Sequence, residues 1–115
     1  SMDDELDIIQ LEQLFPSEPE SHEKQLFLAV ILQALLDATK DKRQIEKPRI
    51  TYERDRAKGW LFARVGVTCK DFEEVCNMAG VDPQATRSFA YKVINSGEIK
   101  RVRKRIQTVL GETNE

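Results

Sequence analysis

Two stretches of this 115-residue chain carry side chains able to engage a charged partner. The first comprises Gln84, Thr86, Arg87, Ser88, Tyr91 and Lys92, a set of amides, hydroxyls and cations within two or three helical turns. Arginine donates two parallel hydrogen bonds to the edge of guanine, and an amide side chain pairs similarly with adenine. Such a helix face is equipped to read base pairs in the major groove of double-stranded DNA. The second stretch is Lys100, Arg101, Arg103, Lys104 and Arg105. Lys100 with Lys104, and Arg101 with Arg105, stand four residues apart. Like charges on neighbouring turns disfavour an isolated helix, so an anionic partner such as the DNA backbone is the simplest reason to tolerate them. A solvated basic face is the plainer alternative.

Other chemistries find little support. The one histidine, His22, has no nucleophile near it in sequence, and the acidic groups Asp3-Asp4-Glu5 and Glu73-Glu74 lack the spacing of a calcium loop or a phosphate-binding loop. No catalytic residue, metal ligand or cofactor is expected. Cys69 and Cys76 are seven residues apart. On a helix that places them on one face about 10 Å apart, too far for a disulfide. With a single distant histidine there is no four-ligand zinc set either. Buried thiols in a reducing cytoplasm are the expectation.

These side chains must be positioned by helices. Charged residues make up 33% of the chain and apolar ones 40%, with only five Gly and four Pro, a balance that favours an all-α domain over a sandwich or barrel. The net charge of −2 conceals an acidic first half and a basic stretch from Pro83 to Leu110. The apolar run Leu26 to Leu36 is too short to span a bilayer, which needs about 20 residues. No secretory leader opens the chain, and Ser1-Met2 reads as an expression scar. A cytoplasmic location and no membrane association are therefore expected.

Residues 3–15 form a short amphipathic pattern that is either a docking helix or a frayed tail, and residues 16–21 read as a linker. The organisation expected is an acidic segment and linker at 1–20, a helical domain at 21–111 and a tail at 112–115. Within the domain, a nearly all-apolar helix around Leu26 to Ala38 is central, and a second helix covers Ile50 to Ala63. Residues Thr68 to Asp71 resemble a capping box that starts a third. Gly80 is placed to end it, and Asp82-Pro83 is a strong N-cap signal for a fourth, which buries Ala85, Phe89 and Val93. Asn95 to Gly97 stops that helix, and Glu98 to Leu110 forms the last.

Helix, glycine turn and capped helix over roughly residues 69–94 is the order of a helix-turn-helix, with Cys76 as the small residue at the crossing and Val81 sealing the corner. An ordinary helical hairpin has the same order. The strings Trp60-Leu61-Phe62, Asp71-Phe72-Glu73-Glu74-Val75-Cys76 and Ala79-Gly80-Val81-Asp82-Pro83 resemble a small helical DNA-binding family of phages and alphaproteobacteria, including domains in regulators of gene transfer agents. The resemblance covers roughly residues 26–94, and the helix after the signature carries only Arg87 and Lys92 where the family pattern is rich in arginine. It implies DNA binding tied to transcription regulation of phage-like genes in a bacterium, or to packaging by a small-terminase-like protein. A protein-interaction module without DNA binding is the other alternative. Homo-oligomerisation, and a protein partner held through the acidic N-terminal segment, are compatible with each.

Overall fold

Six α-helices, and no strand, make up the described part of the protein, which in this computed structural model is residues 2–15, 20–96 and 99–111. They are α1 (Met2–Leu14), α2 (His22–Ala38), α3 (Pro48–Phe62), α4 (Gly66–Ala79), α5 (Pro83–Ser96) and α6 (Lys100–Val109). The all-α expectation holds. Most of the linker, the stop at Gly97 with Glu98, the tail at 112–115 and the side chains of residues 2–7 lie outside the described residues. No described helix is long and apolar enough to cross a membrane.

The apolar density of α2 makes it the central element. Leu28, Ile31, Leu32, Leu35, Leu36 and Ala38 are all buried, and α2 packs against α3, α4 and α6. Each such aliphatic side chain contributes about 1.5–3 kcal/mol on leaving water. Ser21 starts the helix by accepting a hydrogen bond from the Lys24 amide at 3.2 Å. Around α2 stand Leu61 of α3, Phe72 and Cys76 of α4, Phe89 and Val93 of α5, and Val102 and Ile106 of α6. Leu11 of α1 and Phe15 just beyond it join the same core, with Phe15 packed edge-on against Phe89. The N-terminal segment is thus a docked helix, lying against α5 and α6.

Local signals explain most helix ends. Lys47 is extended ahead of Pro48, the first residue of α3. Gly80 takes a left-handed conformation with φ 77°, its amide bonding to Asn77 O and that of Val81 to Cys76 O, a Schellman-type stop. Asp82 then accepts the Ala85 amide at 2.7 Å and opens α5. The capping box expected at Thr68 to Asp71 is not used. Gly66, with φ 84°, turns the chain directly into α4 two residues earlier, and no side chain caps that helix. α5 is also rotated from expectation: Thr86, Phe89, Ala90 and Val93 are buried, whereas Ala85 is only half-buried.

One polar cluster sits within the fold. Arg54, only 4% exposed, pairs with Glu46, whose carboxylate also accepts the Thr51 hydroxyl and the Arg43 amide. The Thr51 hydroxyl, the Arg43 amide and the Arg54 charge hold the Glu46 carboxyl below the usual carboxylate range. A carboxyl whose folded pKa is depressed stabilises the fold above its unfolded pKa, and that stability is lost as pH falls through the folded value. The melting temperature is therefore expected to fall below about pH 4. Glu46→Gln should lower it at neutral pH and flatten this acid limb, as read by circular dichroism melts across pH; an unaltered acid limb would assign the effect to other carboxyls.

Candidate nucleic-acid interface

The eleven side chains expected at a DNA surface divide sharply by burial. Along α5, Gln84, Ser88, Tyr91 and Lys92 are exposed. Thr86 is not: it is fully buried, donates its hydroxyl to Asp82 O at 2.8 Å and packs against Cys76 where α4 meets α5. It cannot reach a base edge in this fold. The physical reason is the rotation of α5, which turns the Thr86, Phe89, Ala90 and Val93 face inward and so rolls Thr86 off the outer surface.

Arg87 is a brace. Its Nε donates to Leu61 O at 3.1 Å and its Nη2 to Ala63 O at 3.0 Å, while the guanidinium carbon lies 4.9 Å from the Phe72 ring centroid. The last carbonyls of any helix lack intrahelical donors, and a cation there also complements the helix dipole. Arg87 supplies both at the C-terminus of α3. Its Nε and Nη2 are thus engaged within the fold, while the half-buried side chain also lines the groove formed by α3, α4 and α5. Phe72 in turn meets Trp60 edge-on at 5.0 Å, and the Trp60 indole donates to Asp71 at 2.8 Å, so the aromatic plug seen in the sequence is one wall of this cluster.

Arg103 repeats the device on α2, donating to Leu36 O at 2.6 Å and to the Thr39 hydroxyl. Arg105 pairs with Glu12 of α1 at 3.2 Å, and Lys92 donates to Gln10 of α1 at 3.3 Å. Lys100, Arg101 and Lys104 face solvent. The charge repulsion inferred for α6 is therefore relieved in part within the chain, by α1. No single surface gathers all eleven residues.

The structure does bring together one groove of about 840 Å³, lined by Gln84, Arg87, Ser88, Tyr91 and Asn95 of α5, by Lys58 and Phe62 of α3, by Arg64, and by Cys69 of α4. Tyr91 stands over Phe62 with ring centroids 6.4 Å apart. Lys58 and Arg64 form no ion pair with any described carboxylate, although Glu73 contributes an acidic group to the groove. Sequence reasoning missed Lys58, Arg64 and Asn95. The first two sit in no basic run, and Asn95 looked like part of a helix stop. The signal available was Asn95 at the period set by Gln84, Ser88 and Tyr91.

Both cysteines are free and buried. Burial pushes the Cys76 thiol up to about 11, so it is a packing residue with little thiolate at neutral pH.

Arg87→Ala should destabilise the fold by roughly 2–4 kcal/mol, because two helix-terminal carbonyls lose a charged donor. Arg87→Lys should recover little of that, since an ammonium cannot reproduce the planar fork. Urea unfolding measures both, and a neutral Arg87→Ala would show that the brace is not needed. Comparison with known protein families, with curated proteins and with solved structures finds no match to this chain.

Proposed function

We propose that this protein binds double-stranded DNA with the outer face of α5, α4 and α5 together acting as a helix-turn-helix. One observation carries this reading. Gln84, Ser88, Tyr91 and Asn95 are all exposed and recur at the period of one helix face, forming a continuous polar stripe beside the free cations Lys58 and Arg64. Its eleven-residue reach is about 16 Å, or roughly five base pairs of duplex. Gln84 and Asn95 are amides suited to adenine, Ser88 is a flexible donor and acceptor, and Lys58 and Arg64 are placed for phosphates at the groove edge. The buried crossing of Cys76 on Thr86 supports a rigid presentation of this stripe.

The biological role proposed is regulation of phage or phage-like genes of the gene transfer agent kind, in the bacterial cytoplasm. It rests on the resemblance carried by Trp60 to Phe62 and Asp71 to Pro83. A packaging role of the small-terminase kind is the second reading. It draws on the apolar side chains left exposed on α2 and α3, with Leu26 at 69%, Val30 at 48% and Tyr52 at 62%, a face that a neighbouring copy would cover. Sedimentation separates the two: a monomer or dimer fits a regulator, whereas a ring of about eight or more copies fits packaging.

Fluorescence anisotropy with random duplex tests the shared premise. Wild-type protein should bind with an affinity that falls steeply between about 50 and 200 mM salt. Lys58→Ala with Arg64→Ala should weaken binding uniformly across sequences and lower the salt slope by about 2. Absence of wild-type binding at low salt would refute the DNA reading.

A further inference from the structure

A second cationic groove, of about 790 Å³, opens between the segment that joins α2 to α3 and the outer face of α6. Its cations come from two elements far apart in sequence: Arg43 and Lys47 from one side, Lys100 and Lys104 from the other. None of these four pairs with a described carboxylate. The remaining charges of the groove are largely committed. Lys40 is held between Asp37 and Glu53, Arg103 braces the end of α2, and the Glu46 carboxylate is taken by Arg54 and Thr51. Asp41 is the acidic residue set against the four. Folding has therefore gathered uncompensated positive charge around a concavity, an arrangement that costs stability through self-repulsion unless an anion fills it.

The groove's charge and its place on α3 point to a polyanion. α3 joins it to the DNA-reading groove, for Ile50 lines the one and Lys58 the other. Those residues are eight positions apart, which is about 12 Å along the helix and within a quarter turn around it. The major groove of a duplex is itself about 12 Å wide. A duplex carries a phosphate charge about every 1.7 Å of its axis, so a second cationic groove on the same helix complements a polyanion that extends beyond the first.

We propose that Arg43, Lys47, Lys100 and Lys104 form a clamp for the phosphate backbone of the same duplex, a contact surface distinct from the α5 stripe. This inference rests on the DNA reading above. It assigns a role to the segment at 39–47, whose exposed side chains otherwise have no structural duty, and it divides the labour between a helix that reads and a groove that holds.

The test is the salt dependence of duplex binding by the full chain, for wild type and for Arg43→Ala with Lys47→Ala. Both side chains are exposed, so thermal melts should coincide and report an intact fold. Loss of two phosphate contacts should reduce the slope of log K against log salt by about 1.8 and weaken low-salt binding at least tenfold. Lys100→Ala with Lys104→Ala should give a similar loss, and the four-fold variant a loss no smaller than either pair. Wild-type binding with an unchanged slope and affinity in both double variants would overturn the clamp and leave the α5 reading standing. Failure of wild type to bind at low salt would overturn both.

Discussion

Long-range contacts at the C-termini of α2 and α3 tie the packing of the fold together. α2 lies at the centre and α3 ends beside Phe72 and Cys69, and the last carbonyls of each lack intrahelical donors. Arg103 meets the need at α2 and Arg87 at α3, each reaching across from a helix distant in sequence. A planar guanidinium suits the task because it offers several donors in a fixed fork while placing positive charge on the negative end of a helix dipole. The same two contacts fix where α5 and α6 sit relative to α2 and α3. The first groove is lined by α3, α4 and α5 and the second by the segment before α3, by α3 and by α6, so each brace ties down helices that wall a groove.

The second determinant is the crossing of α4 on α5. Gly80 turns the chain with a positive φ, Asp82 restarts it, and the small side chains Cys76 and Thr86 let the helices approach closely. Thr86 satisfies its hydroxyl locally by donating to Asp82 O, which is why a polar residue is accepted at a fully buried site. Burying Thr86 in place of Ala85 turns α5 about its axis. With that orientation Gln84, Ser88, Tyr91 and Asn95 all stand on the outside. A packing choice at the crossing thereby selects the chemistry presented to a partner.

Charge is sorted by the same packing. α1 lies against α5 and α6, where its Glu12 pairs with Arg105 and its Gln10 accepts from Lys92. The opposite side of α6 faces the segment before α3, which adds cations of its own. A chain of net charge −2 thus carries two cationic concavities, because acidic and basic residues are segregated in space and not averaged over the surface.

Much of this was legible in the residues alone. The density of apolar side chains in α2, the glycine stop at Gly80 and the N-cap at Asp82 are local signals, decided by backbone conformation and by the hydrogen bonds of neighbouring groups. They specified an all-helical chain and located the unit α4–turn–α5. The direction each helix faces was another matter. A rotation of one residue, about 100° on a helix, exchanges a buried threonine for an exposed one, and no local signal distinguishes Ala85 from Thr86 as the inward residue. Nor does a basic residue declare whether it will meet a carbonyl of its own chain: Arg87 and Arg103 became braces, while Lys58 and Arg64, inconspicuous in sequence, came to line the groove beside Arg87. Local order is set by interactions within a few residues. Exposure and charge pairing are set by contacts between residues as far apart as Leu36 and Arg103, and only the packed tertiary structure decides those.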